Sequence, residues 1–216
     1  MWPMIGRAIL GGFVLGVLVT APVSANHTVG SPRHYWDLDD DRVIDPSDSD
    51  IGYLPAGSAW TAEKHADRAA VTATWRTATR WDPFDANGGG VGRATVRVDG
   101  VHPCGGTFAF GDLAVTCRKE SVRKDGTRVD FYDIFDVDTG INLAMPWNYG
   151  IDRDVTRYDF RGVLTHEMGH GAHLFDTSAC LNPIVTMCGS VDRTGSFDYR
   201  SIETDDLTGV NLLYPV

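Results

Sequence analysis

Between Thr61 and about Arg80, small and apolar residues recur at helical spacing: Ala62, Ala66, Ala69 and Ala73 on one line, with Val71, Trp75 and Ala78 beside it. This predicts a long helix packed on one face, with Thr61 as its cap and Glu63 in its first turn. After Arg93 the period shortens. ATVRVDGV, LAVTCRK, RVDFYDIFDVD and INLAM alternate or run apolar between Gly and Asp turns, which predicts strands as far as Met145. Helical spacing returns from Thr156 or Asp159, both suitable caps, and runs through His170, with Phe160, Val163, Leu164 and Met168 as its apolar side. A short last helix is expected from Thr204 to Leu213, stopped by Pro215. One helix, several strands and two further helices, without internal repeats, predict an α/β domain of the α+β type over residues 59–216.

The segment before that domain has a different character. MWPMIGRAILGGFVLGVLVTAPVSA, residues 1–25, has a basic start at Arg7, a short Gly-containing apolar run and a small-residue exit at Val23 and Ala25. It is expected to be a signal peptide cleaved after Ala25, giving a secreted, extracellular protein with no stable membrane association after cleavage. Residues 26–58 are Asp-rich and Pro-punctuated and are expected to form an extended acidic lead-in rather than packed structure. Within it, Asp37, Asp39, Asp41, Asp45 and Asp48 have the spacing of a calcium loop. Arg42 stands at the glycine position of such a loop, so a solvated acidic segment is the competing reading.

The cysteines agree with an oxidising compartment. Cys104, Cys117, Cys180 and Cys188 are even in number and fall into two close-spaced pairs, so bridges 104–117 and 180–188 are expected. The chain carries 19 Lys and Arg against 29 Asp and Glu, a formal charge of −10, and loss of Arg7 with the signal makes it one unit more negative. Such a surface repels phosphate backbones, and nucleic acid is not an expected partner.

The chemistry concentrates in HEMGHGAHLFD, His166 to Asp176. His166 and His170, four apart on a helix, lie on one face and can aim imidazole nitrogens at one point, where zinc–nitrogen bonds of about 2.0–2.1 Å can close. Glu167 is next to His166 and rotated about a third of a turn from it, suited to contact a zinc-bound water but not the zinc, and to take that water's proton. His173 and Asp176 both compete for the third ligand position. If the helix runs on, His173 shares the face of His166 and His170. If it stops at His173, that residue adopts a left-handed conformation and Asp176 ligates.

HEMGHGAHLFD resembles the extended zinc motif of the metzincin endopeptidases, H-E-x-x-H-x-x-G-x-x-H/D, in the aspartate-ending form of the snapalysin-like branch. DFRGVLTHEMGH upstream and ETDDLTGVNLLYP downstream are similar to matrixin sequence, and TMCGS places Met187 where the family has its methionine turn. The resemblance covers roughly residues 128–216 and implies a twisted mixed sheet with a long first helix, an active-site helix and a short C-terminal helix. It also implies Asp176 as the third ligand, with His173 a partly exposed residue at the family's glycine position. Asp205 and Asp206 could support the methionine turn or serve only as first-turn acids of the last helix. The expected function is that of a monomeric zinc endopeptidase acting on proteins or peptides, with Glu167 as general base. A non-catalytic metal-bearing binding protein and a zinc hydrolase of small amides or esters are the alternatives.

Overall fold

The computed structural model describes residues 33–36, 51–79, 92–125, 128–152, 154–177, 185–189 and 197–214. The signal segment, the Asp37–Asp48 stretch, residues 82–91 and Cys180 lie outside the described residues. Among the described residues no helix is long and apolar enough to cross a membrane.

Among the described residues the architecture is mixed α/β: one five-stranded mixed sheet, a two-stranded parallel ribbon and three α-helices. Helix α1, Ala62–Ala78, starts at Thr61, whose side chain accepts from the Lys64 amide at 3.4 Å. It buries Val71 and Trp75 completely, as its periodicity predicts. The main strands are β1 (Arg33–Trp36), β2 (Ile51–Ala56), β3 (Gly92–Arg97), β4 (Ala114–Asp125) and β5 (Arg128–Ile141). β5 is the hub. One of its edges takes β1 and then β3 in parallel, its other edge takes β4 in antiparallel register, and β2 extends the sheet beyond β3.

Two expectations need correction. Residues 26–58 are not wholly a lead-in outside packed structure, because β1 and β2 pair into the sheet. Their β-forming runs, HYW and IGYL, are too short to register within so polar a segment, and their partners are distant in sequence. INLAM is not a strand: β5 ends at Ile141 and a turn follows. Asn142 dictates that turn, since its side-chain oxygen accepts from the Ala144 amide at 3.1 Å, its carbonyl accepts from Met145, and its amide group donates to Asp112.

β6 (Trp147–Asn148) and β7 (Tyr158–Asp159) form the ribbon that leads into α2, Phe160–Gly171. α3 spans Thr204–Leu213. α2 packs on α1, where the Trp75 indole donates to the Thr165 carbonyl at 3.1 Å, and on the fully buried Met187. Gly169 permits this approach. A Cβ there would overlap Met187 Sδ and lie 3.3 Å from Trp75 Cζ2.

Helix propensity alone favours Gly169→Ala by about 1 kcal/mol. Overpacking of a filled core costs about 1–3 kcal/mol. The variant is therefore expected to unfold at lower urea concentration than the parent, and a raised midpoint would show that Met187 can yield at no cost.

Candidate metal centre

Construction of the site begins at the start of α2. Asp159, not Thr156, is the cap: its Oδ2 accepts from the Gly162 amide at 3.0 Å. Arg200 grips the same buried carboxylate twice, at 2.7 and 2.5 Å, and donates to the Gly150 carbonyl at 2.7 Å. The helix is thus anchored to the chain just before α3, and its register relative to the sheet is set.

On the side of α2 that lines the cleft toward β4, His166 and His170 stand one turn apart with ring centroids 4.7 Å from each other. Each ring has its Nδ1 against a backbone carbonyl, His166 on Thr186 and His170 on Leu174, both at 2.8 Å. A carbonyl only accepts, so Nδ1 carries the proton. In the neutral rings the lone pairs then sit on Nε2.

The end of α2 decides what meets those nitrogens. His173 has φ 71°, making it the one non-glycine residue with positive φ among the described residues. Its amide bonds to the His170 carbonyl at 3.0 Å, and the Leu174 amide reaches back to the Gly169 carbonyl at 2.9 Å. This pair of bonds is a Schellman cap with histidine in the left-handed position. The helix stops there, and the chain turns back toward the cleft.

Asp176 is the result of that turn. Its Oδ1 lies 3.2 Å from His166 Nε2 and 3.4 Å from His170 Nε2. Ligands on a tetrahedral ion with bonds of about 2.0–2.1 Å are separated by about 3.3–3.4 Å, so both spacings match a tetrahedron's edge. The donor set of two imidazole nitrogens and a carboxylate oxygen suits zinc with a fourth position open. The histidine side chains hold the Asp176 carboxyl well below the usual carboxylate range, so it is ionised at neutral pH. Burial disfavours the charged form of His166, but the Asp176 hydrogen bond, the nearby Glu167 charge and the Thr186 carbonyl together raise its pKa.

His173 goes elsewhere, and it is buried rather than partly exposed, with 1 % of its surface accessible. Its Nδ1 lies 3.7 Å from Glu120 Oε1, and its ring meets Phe175 edge-on at 4.8 Å. The sequence pattern misleads here because a left-handed residue can turn its side chain inward when the adjoining strand supplies a pocket.

Met187 lies beneath the site, as an ordinary core residue packed on α2 would. The Thr177 amide bonds to the Met187 carbonyl at 2.8 Å, and the Gly189 amide bonds to the Thr177 carbonyl at 3.3 Å, fixing the chain just beyond Asp176. Of the two first-turn acids of α3, Asp206 supports this loop: it accepts from the Thr186 amide at 3.3 Å and the Glu203 amide at 3.0 Å. Cys104 and Cys117 are bridged, with Cα atoms 5.6 Å apart. Cys188 is also disulfide-bonded, while Cys180 falls outside the described residues.

Glu167 is buried and faces the same cleft, a cavity of about 600 Å³ whose walls include Leu113 to Thr116, Arg118 and Phe175. Its Oε2 accepts from the Thr116 hydroxyl at 2.6 Å. Arg118 donates to the His170 carbonyl at 3.0 Å, complementing the negative end of the α2 dipole. Sequence reasoning missed Thr116 and Arg118. Both lie on a strand whose alternation is visible, but only the pairing with β5 brings them over α2. No family model and no curated protein matches this chain, so its own geometry carries the functional reading.

Two predictions follow from this geometry. Asp176→Ala should lose zinc as severely as His170→Ala, whereas His173→Gly should keep one zinc per chain, measured by metal analysis after dialysis at one pH. Full zinc in Asp176→Ala with loss in His173→Gly would reverse the ligand assignment. The second concerns Asp206, whose pKa burial raises despite the hydrogen bonds to Glu203 and Thr186. The folded protein then holds this proton more readily than the unfolded chain. The resulting stability is fully present below the ordinary carboxylate pKa and is lost as pH rises through the raised one. Asp206→Asn cannot ionise, so its urea stability should fall less than the parent's from about pH 4 upward. Equal slopes would show that Asp206 does not contribute.

Proposed function

We propose that this protein is a secreted zinc endopeptidase of the metzincin type. The observation that supports it best is the convergence of His166, His170 and Asp176, with Asp176 Oδ1 3.2 and 3.4 Å from the two Nε2 atoms, and with Glu167 on the same helix facing the cleft outside that cluster. When bound, zinc supplies Lewis acidity, polarising a carbonyl and acidifying a water molecule. His166, His170 and Asp176 hold the ion. Glu167 accepts the proton of the attacking water and returns it to the amine that leaves when the peptide bond breaks.

The cleft also suits an extended chain better than a compact ester. Among the described residues β4 pairs only with β5, and its residues Ala114 to Thr116 line the cleft. A substrate segment laid there can extend the sheet through backbone hydrogen bonds. The Cys104–Cys117 bridge, which ties the turn around Cys104 to β4, accords with an extracellular site of action.

The test is cleavage of casein with and without chelator, in the parent and in Glu167→Gln. The amide keeps the shape of the glutamate and loses the base, so the variant should retain one zinc per chain while turnover falls at least about a hundredfold. Near-parent activity at full zinc occupancy would refute the mechanism.

A further inference from the structure

The proposed base is held by more than its own helix. Glu167 is 5 % exposed, and its Oε2 receives the Thr116 hydroxyl at 2.6 Å. A second hydroxyl backs the first: Thr139 Oγ1, fully buried on β5, is 2.9 Å from Thr116 Oγ1. The two threonines face each other in the β4–β5 register, so sheet pairing itself sets their spacing.

The direction of this chain of hydroxyls is determined by valence. An ionised carboxylate can only accept, so the single proton of Thr116 goes to Glu167, and Thr139 must donate to Thr116. A longer contact from Thr116 to the Glu167 carbonyl, at 3.3 Å, places the hydroxyl over the same residue's backbone. With Oε2 engaged, Oε1 is the oxygen left to accept a proton.

We propose that Thr116, backed by Thr139, is a positioning residue that fixes the Glu167 carboxylate for proton transfer. This rests on the reading of Glu167 as general base. The β4 strand therefore has two tasks within a few residues: Ala114 to Thr116 line the substrate cleft, and the Thr116 side chain orients the base. A shift of that strand misplaces both together. A purely structural role for the hydroxyl, satisfying a buried carboxylate, would change stability without a selective effect on turnover.

The experiment uses the full secreted protein and Thr116→Val, Thr116→Ser and Thr139→Val. In the zinc-loaded protein, Thr116→Val should lower kcat about ten- to a hundredfold with KM and zinc content unchanged, because the base is misplaced while binding groups stay. Thr116→Ser should restore most of the loss, and Thr139→Val should show a smaller drop in kcat. A second readout needs no turnover. In metal-free protein, urea midpoints are compared for the parent, Thr116→Val, Glu167→Ala and the double variant, and the Thr116→Val shift should shrink once the carboxylate is gone. Additive shifts, parent-like kcat in Thr116→Val, or a loss that Thr116→Ser fails to restore would each overturn the proposal. If the zinc-loaded parent cleaves no peptide, the endopeptidase reading fails by itself. The midpoints then decide alone whether the hydroxyl holds the carboxylate: additive shifts overturn it and a reduced shift supports it.

Discussion

The hydrogen bond from the Leu174 amide to the Gly169 carbonyl, 2.9 Å long, closes α2 and sets the course of everything beyond it. It requires His173 in the left-handed region, which costs a residue with a Cβ about 1–2 kcal/mol. Surrounding contacts offset that strain, because the His173 ring is buried against Phe175 and near Glu120. The turn then serves the site twice. Its Leu174 carbonyl orients His170, and two residues later it delivers Asp176 to the two Nε2 atoms. Had α2 run on by one more turn, neither the carbonyl nor the carboxylate would be where it is.

Below that turn the helix rests on a filled core, and above it lies an open cleft. Gly169 lets Met187 and Trp75 approach α2 from beneath, and the Met187 segment is tied to Thr177, just past Asp176. The same short loop offers the Thr186 carbonyl to His166 and its amide to Asp206 on α3. A displacement of Met187 would therefore be felt by His166 through one peptide unit and by Asp176 through another. Rigidity below the cluster and openness above it are the conditions under which three side chains can keep ligand spacing.

Much of this was legible in the sequence, and the exceptions share a cause. α1, α2 and α3 fall close to their expected limits because periodicity and capping residues such as Thr61 and Asp159 act within a few positions of themselves. The spacing of His166, Glu167 and His170 is equally local. The choice between His173 and Asp176 was left open by spacing alone, since it depends on whether the helix closes with a Schellman cap. That in turn depends on what Glu120 and Phe175 offer the His173 ring. β1 and β2 escaped notice because their partners on β5 and β3 are far along the chain. Thr116 carried no signal either, as nothing short of the β4–β5 register brings its hydroxyl to Glu167.

The two carboxylates that line the cleft illustrate how neighbours divide labour among chemically similar groups. Asp176 sits against two imidazoles, which keep it ionised, and its Oδ1 lies 3.2 and 3.4 Å from their Nε2 atoms. Glu167, one residue from His166, is instead turned to a neutral hydroxyl on β4. A carboxylate facing cationic or metal-ready nitrogens is committed to them, whereas one held by a single hydroxyl keeps an oxygen available for proton transfer. In the proposed reaction the first is the ligand and the second the base. Helix geometry alone puts Glu167 only about 100° around α2 from His166. The Thr116 hydroxyl on the adjoining strand then fixes one oxygen of that carboxylate, which lines the same cleft as the imidazoles.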